Sequence, residues 1–263
     1  MDKTLRTAAT GLNAQQRYVE IISNNISNVN TTGFKKVRPE FQDLLYETLR
    51  PSGANHSMDT TPLNEVQIGS GTELTATTKV FTQGDVTATG KSLDVAISGE
   101  GFFMLRKPDN SIVYTRDGTF NLDNSGQIVT SDGYILEPGL TVPDDTLDLQ
   151  ISRDGEVSAV LSDGVSTQTL GQIELARFIN PAGLRSIGDN AYAETPASGS
   201  AIIEQPGSNN TGELIQNSLE ASNVSIVDEM VNMITAQRAY ELNSKSVTTA
   251  DTILGTAVNL KRS

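Results

Sequence analysis

The sequence predicts an α+β fold in which long N- and C-terminal helices pair as a coiled-coil-like axial domain. An antiparallel β-rich domain is inserted between them. Three observations predict this fold. Apolar residues recur at spacings of three and four at both ends of the 263-residue chain, short alternating segments fill the middle, and Asp-Gly pairs separate those segments. Two amphipathic helices at opposite ends need partners for their apolar faces, so the pattern favours a self-assembling subunit over an enzyme.

The first element is an N-terminal axial helix within residues 1–33. Its last turns contain Asn24, Asn25 and Asn28, which are poor helix formers because their side chains compete for backbone hydrogen bonds. A fraying helix end would explain them. The interpretation we favour is that these amides form inter-subunit polar contacts and fix register, as a buried Asn does in coiled coils. Gly33 is the expected helix stop. The predicted self-assembly stripe comprises Leu5, Leu12, Val19, Ile22, Ile26 and Val29.

Residues 34–68 form a connecting segment, and its polar, turn-rich part from Arg50 to Pro62 is predicted to be an extended loop. The single histidine, His56, lies in this loop and is expected to be a surface residue. Residues 69–206 form the β-rich outer domain, since segments such as 147–151 alternate strictly between apolar and polar residues. The turn signals between these segments predict hairpins.

A polar linker, 207–224, precedes a C-terminal axial helix, 225–263. Ser225 and Asp228 resemble a capping box with Asp in place of Glu. The first half of the helix carries two apolar stripes side by side, so it is expected to contact more than one neighbour. The predicted self-assembly residues of this helix are Ile226, Val227, Met230, Val231, Met233, Ile234, Tyr240, Val247 and Leu254.

Composition argues against several classes of function. The chain has no cysteine and a net charge of −13, which excludes thiol chemistry and disfavours nucleic-acid binding. No catalytic, cofactor-binding or metal-binding residues are expected. The segment from Asn121 to Asp132 faintly resembles a calcium loop, but Asp stands where the bidentate Glu belongs, and a plain hairpin turn is the better interpretation. Neither a transmembrane segment nor a cleaved signal peptide is expected.

Four segments resemble the bacterial flagellar rod and hook axial proteins: SNNISNVNTTGFKK at 23–36, LDVAISGEGFFML at 93–105, YTRDGTFNL at 114–122, and LEASNVSIVDEMVNMITAQRAYELNSKSVTT at 219–249. Their order and spacing, and the extra segment at 46–71, are most similar to the distal rod members of that family. The resemblance covers nearly the whole chain, and the main departures lie in residues 140–205.

The resemblance implies a structural subunit of the flagellar distal rod, a helical homo-oligomeric tube that transmits torque from motor to hook and encloses the export channel. It implies export through the flagellar type III apparatus and a location in the basal body, where the rod crosses the periplasm. The implied partners are proximal rod and hook-side axial proteins and the P and L ring proteins. The alternatives are a proximal rod or hook-type axial paralogue and, from different classes, a calcium-stabilised surface adhesin and an enzyme acting on the cell wall.

Overall fold

The computed structural model describes residues 2–50, 65–162 and 166–262. Helix α1 spans Asp2–Ser27 and helix α2 spans Ile226–Arg262. Among the described residues between them are short strands and one 3-10 turn, Pro181–Gly183. The strands are β1 Val37–Asp43, β2 Tyr46–Arg50, β3 Val66–Gly69, β4 Thr72–Lys79, β5 Val86–Ala88, β6 Val95–Ser98, β7 Phe102–Arg106, β8 Ile112–Thr115, β9 Phe120–Leu122, β10 Ile128–Thr130, β11 Ile135–Leu136, β12 Thr146–Ile151, β13 Glu156–Leu161, β14 Thr167–Gln172, β15 Leu175–Arg177, β16 Arg185–Gly188, β17 Ala191–Ala193, β18 Ile202–Glu204, β19 Glu213–Gln216 and β20 Ser218–Glu220.

The chain divides into two compact units, and neither is continuous in sequence. The helical unit comprises Met1–Ile26, Val37–Thr78 and Ser225–Ser263, and the β-rich unit comprises Ser27–Lys36 and Lys79–Val224. The chain therefore passes between the units four times. The overall class is α+β, with helices at the two ends and a large β-rich region between them.

The predicted fold class is wrong in how it divides the molecule. The two helices do not form a coiled-coil-like domain of their own, because β1 to β4 belong to the same unit as α1 and α2. The β-rich region is not one simple insertion either, since it includes the segment that directly follows α1. Apolar periodicity identified the helices correctly, but it cannot tell which distant strands pack beside a helix.

In the helical unit, two strand pairs accompany the helices: β1 pairs with β4, and β2 pairs antiparallel with β3. Tyr18 of α1 meets Phe41 of β1 edge to face, with ring centroids 6.1 Å apart. Gly71 allows the start of β4 to approach α1, because a Cβ there would lie 2.0 Å from the hydroxyl oxygen of Thr10. The loop predicted beyond Arg50, with His56, lies outside the described residues.

The β-rich unit is built on a large antiparallel sheet with the strand order β16-β17-β8-β7-β11-β10-β9, and β15 joins β7 and β18. The strands β12, β13 and β14 form a separate three-stranded sheet. Residues from both sheets share one core, which includes Phe103, Leu105 and Val157. A second apolar cluster contains Phe102, Tyr114 and Tyr192.

Several predicted strands and turns are confirmed. The segment 147–151 lies in β12, and the Asp154-Gly155 signal joins β12 to β13, with Gly155 at a φ of +87°. The faint calcium-loop pattern is a hairpin turn between β9 and β10, closed by the amide of Asp123 and the carbonyl of Gln127. Within the described residues, no cluster of three or more His, Cys, Asp or Glu side chains could hold a metal ion.

Two boundaries differ from prediction. Residues 207–224, expected as a polar linker, contain β19 and β20, which pair with β6 and β5. Helix α1 ends at Ser27, whereas Gly33 was expected to stop it. The Asn- and Ser-rich sequence already favours a turn there, and the amide of Thr31 donates to the carbonyl of Asn28. Ser225 caps α2 as predicted, since its hydroxyl accepts a long hydrogen bond of 3.4 Å from the Asp228 amide.

Candidate assembly surface on the terminal helices

Helix α1 buries one face. Two of the buried residues are alanines, Ala8 and Ala14, and Ile22 is buried more deeply than either. Small side chains permit close approach by neighbouring elements, while the longer apolar residues cover the edges of the face. Of the predicted α1 stripe, Ile22 is buried, and the members that are only partly buried are Leu5, Leu12, Val19, Ile26 and Val29.

Helix α2 separates its predicted stripe into two faces. Ala236 and Ala250 are buried, with Met233, Val247 and Leu254 partly buried on the same side. The opposite side is apolar and open to solvent, and we call it the exposed α2 face. It consists of Ile226, Val227, Met230, Val231 and Ile234, with exposed fractions of 47%, 71%, 55%, 55% and 57%. Tyr240, further along the helix, is also exposed.

An apolar surface of this kind is unusual on a protein that works alone. Five large apolar side chains within the first three turns of α2 form a continuous patch, and such patches mark sites of interaction with other molecules. Over its described residues, neither helix is long and apolar enough to cross a membrane.

A buried polar contact joins the two helices within the helical unit. The Asn25 amide donates to the Val37 carbonyl at 2.9 Å and to a Glu229 carboxylate oxygen at 3.2 Å, and its oxygen accepts from the Val37 amide at 2.9 Å. Asn25 is 2% exposed and Glu229 is 7% exposed. Burial, together with the negative charge of Glu229, raises the pKa of the nearby Tyr18 hydroxyl.

The contact shows what Asn25 does inside one subunit. Both N–H donors of its amide are used within the chain, so they are not available to a neighbouring copy. The exposed Asn24 and the partly buried Asn28 lie on either side of it along the chain, and their inter-subunit role stays a prediction. Sequence reasoning missed Glu229, because an acidic residue in the first turn of a helix is ordinarily explained by the helix dipole.

The helices also approach closely at a second place. A Cβ on Gly11 of α1 would lie 2.8 Å from the side-chain amide nitrogen of Asn243 on α2. Further along, Gln16 and Val19 line one side of an open pocket whose other side is formed by Gln237, Tyr240 and Glu241. The two helices are therefore close together at Gly11 and leave a gap between them near Tyr240.

Three family models match the chain: the flagella basal body rod protein model over residues 5–35, the flagellar hook protein FlgE/F/G D1 domain model over 96–159, and the flagellar basal body rod FlgEFG protein C-terminal model over 215–260. The first and third of these cover most of α1 and α2. The chain is 49% identical to the flagellar basal-body rod protein FlgG of Borreliella burgdorferi, with 100% of both chains covered. The chain belongs to the flagellar basal-body rod proteins.

Other relatives agree with this assignment. The chain is 47% identical to FlgG of Buchnera aphidicola subsp. Acyrthosiphon pisum, covering 97% of this chain and 98% of the relative. Its identity to the flagellar hook protein FlgE of Salmonella typhimurium is 26%, over 97% and 99% of the two chains. The predicted function, a structural subunit of the flagellar distal rod, is confirmed, and the hook-type alternative is the weaker one.

Proposed function

We propose that this rod subunit polymerises through the exposed α2 face into a helical tube that transmits torque from motor to hook and encloses the export channel. The observation that carries the proposal is a run of five large apolar residues on the first turns of α2, all more than two-fifths exposed. Burying one such side chain contributes roughly 1.5–3 kcal/mol. Tyr240 and the partly buried residues of the two predicted stripes complete the inter-subunit contacts.

The proposed partners follow from a position in the rod. Copies of the chain bind one another, the ends of the polymer meet proximal rod and hook-side axial proteins, and the outer surface passes through the P and L rings. The subunit acts through assembly rather than catalysis and without a cofactor. The type III export apparatus delivers it, uncleaved, to the basal body, where the rod crosses the periplasm.

The same surface accounts for the timing of assembly. An isolated amphipathic helix is marginally stable in water, and most of its stability comes from packing its apolar face. The helical unit is therefore expected to be only marginally stable in the monomer and to become fully ordered when neighbouring copies cover α2. Delayed folding would keep the chain thin enough for export and would suppress premature polymerisation.

The test is a charge placed in the exposed α2 face. Purified wild-type protein at high concentration should form straight tubes visible by electron microscopy, and the same protein with Val231→Asp should remain monomeric in sedimentation. The matched control is Ile179→Asp, because Ile179 is 80% exposed but lies in the β-rich unit, and this variant should polymerise as the wild type does. Polymerisation of Val231→Asp at the wild-type concentration would refute the proposed surface.

A further inference from the structure

The β-rich unit contains a charge cluster that is almost completely removed from solvent. Lys35 and Glu220 have side chains that are 0% exposed, and the side chain of Arg116 is 4% exposed. The Lys35 ammonium lies 2.5 Å from one Glu220 carboxylate oxygen, and Arg116 Nε lies 3.0 Å from the other. Two cations therefore share one carboxylate.

Main-chain groups satisfy most of the remaining polar atoms. Lys35 donates to the Thr82 carbonyl at 2.8 Å, and Arg116 Nη1 donates to the carbonyls of Gly99 and Gly101 at 2.9 and 2.7 Å. Burial nevertheless lowers the pKa of Lys35, and the charge of Arg116 lowers it further, while Glu220 acts in the opposite direction. Because buried ion pairs rarely stabilise more than apolar residues of equal volume, stability alone does not explain this arrangement.

The cluster lies where the chain passes between the two units. Lys35 is one residue before the crossing at 36–37, and Thr82 lies shortly after the crossing at 78–79. Glu220 is five residues before Ser225, where the chain re-enters the helical unit. Three separate segments of the β-rich unit, 33–36, 79–84 and 218–224, thus meet at one group of charges.

Asn223 connects the same three segments a second time. Its amide nitrogen donates to the carbonyls of Val80 and Thr82 at 2.8 and 3.1 Å, and its amide oxygen accepts from the Lys36 backbone N–H at 2.8 Å. The Val80 amide in turn donates to the Lys36 carbonyl at 3.0 Å. The side chain therefore uses both ends of its amide to bridge segments that are remote in sequence.

Gly33 shows how closely these segments pack. Its amide donates to the main-chain carbonyl of Glu220 at 2.8 Å, and a Cβ at Gly33 would lie 2.7 Å from the carbonyl carbon of Arg116. Its φ of +65° is also unfavourable for other residues. Among the described strands, β20 pairs with β5 alone, and a lone two-stranded ribbon is marginally stable by itself.

We propose that Lys35, Arg116, Glu220 and Asn223 form a crossing cluster that makes the three segments leaving the β-rich unit open and close together. Force applied to any one segment is then shared by all three, so no single strand can be pulled away from the unit. The inference rests on the proposed function only for the origin of that force, which is the torque carried by the rod.

The test is hydrogen exchange on the purified monomer, so it does not depend on polymerisation. Three amides report on the cluster because their acceptors are main-chain carbonyls that a side-chain substitution leaves in place: Gly33, Val80 and Ala221. In Glu220→Gln these three should exchange at least about tenfold faster through local opening, while Leu105 and Val113 in the central sheet keep their wild-type rates. The control Glu213→Gln alters an exposed carboxylate on β19 and should change none of them.

Two further variants keep the test decisive if Glu220→Gln does not fold. Lys35→Met removes the excess cation and leaves the Arg116–Glu220 pair neutral, and Asn223→Ala removes only the amide bridge. Both variants should selectively accelerate hydrogen exchange at the amides of Gly33, Val80 and Ala221. Unchanged exchange at these amides, or equal acceleration throughout the β-rich unit, would overturn the proposal, because either result would show that the cluster does not couple the segments.

Discussion

The two units of this subunit differ in how completely they bury their apolar residues. In the β-rich unit Phe103 and Val157 are 0% exposed, and strand β7 is buried along nearly its whole length. In the helical unit, the described side chains of α2 that are buried are two alanines and one glutamate, while Val227 remains 71% exposed. The β-rich unit encloses its apolar core, whereas the helical unit leaves large apolar side chains exposed on its surface.

This difference indicates which unit folds alone. A sheet that encloses its own apolar residues needs no partner, whereas a helix stabilised chiefly by packing needs something to cover it. The buried polar contact at Asn25 fixes the geometry of the helical unit but adds little apolar burial. We therefore expect two unfolding transitions in the monomer, with the helical unit unfolding first.

The largest expected effect is a cavity in the β-rich core. Phe103→Ala removes a ring that is fully buried and meets Phe120 edge to face at 5.1 Å. The free energy of unfolding of the β-rich unit should fall by about 3–5 kcal/mol, measured by denaturant titration. The matched control, Ile234→Ala on the exposed α2 face, should change the stability of the monomer by less than about 0.5 kcal/mol. Similar losses for both variants would contradict the contrast between the units.

The next largest effect is expected at alkaline pH, which should lower the stability of the β-rich unit. Burial raises the pKa of Tyr114 and of Tyr192 to about 12. The negative charge of Glu194 adds to the effect at Tyr114, whereas at Tyr192 the charge of Arg116 opposes it and that of Glu220 adds to it. The unfolded chain loses these protons near pH 10, so between pH 10 and 12 the native state binds more protons than the unfolded state. The free energy of unfolding of the β-rich unit should therefore fall by up to about 1.4 kcal/mol per pH unit for each tyrosine.

The window above pH 10.5 isolates this effect. Burial lowers the pKa of Lys35 and of Lys79, which makes stability rise with pH only up to their ordinary value of 10.5. Tyr192→Phe should remove about half of the loss measured above that pH, whereas Tyr134→Phe, at a partly exposed ring, should retain it. An alkaline loss that is identical in Tyr192→Phe and in the wild type would show that this hydroxyl is not the cause.

The smallest effect is expected in the helical unit. Asn25→Ala removes two donated hydrogen bonds and one accepted one, and leaves Glu229 buried without that partner. It should lower the free energy of only the first unfolding transition, that of the helical unit, by about 1–3 kcal/mol. Helix-sensitive circular dichroism measures that transition. Asn13→Ala, at an exposed position of the same helix, serves as the control. A shift of the second transition by Asn25→Ala would mean that the two units unfold as one.

The sequence was most informative where structure is local. Helix α2 begins at Ile226, one residue after the predicted cap at Ser225, and the Asp154-Gly155 turn lies where its residues predict it. The family resemblance and the rod function were also identified from sequence segments alone, and the matching family models and FlgG relatives confirm both.

Long-range contacts were not predictable in the same way. No periodicity indicates that Lys35 and Glu220, 185 residues apart, form a buried ion pair, because charged residues are normally assigned to the surface. The assignment of β1 to β4 to the helical unit has the same origin, since strand partners are chosen by tertiary packing. The division of α2 into a buried small-residue face and an exposed apolar face also depends on which side α1 occupies.

Hydrogen exchange on the monomer and on the assembled tube compares the two units most directly. Amides of α2, such as those of Met230 and Ile234, should exchange rapidly in the monomer and become protected in the tube. Amides of β7, such as those of Phe103 and Leu105, should be protected in both states. If the α2 amides are as protected in the monomer as those of β7, the helical unit is complete without its neighbours, and its folding does not depend on assembly.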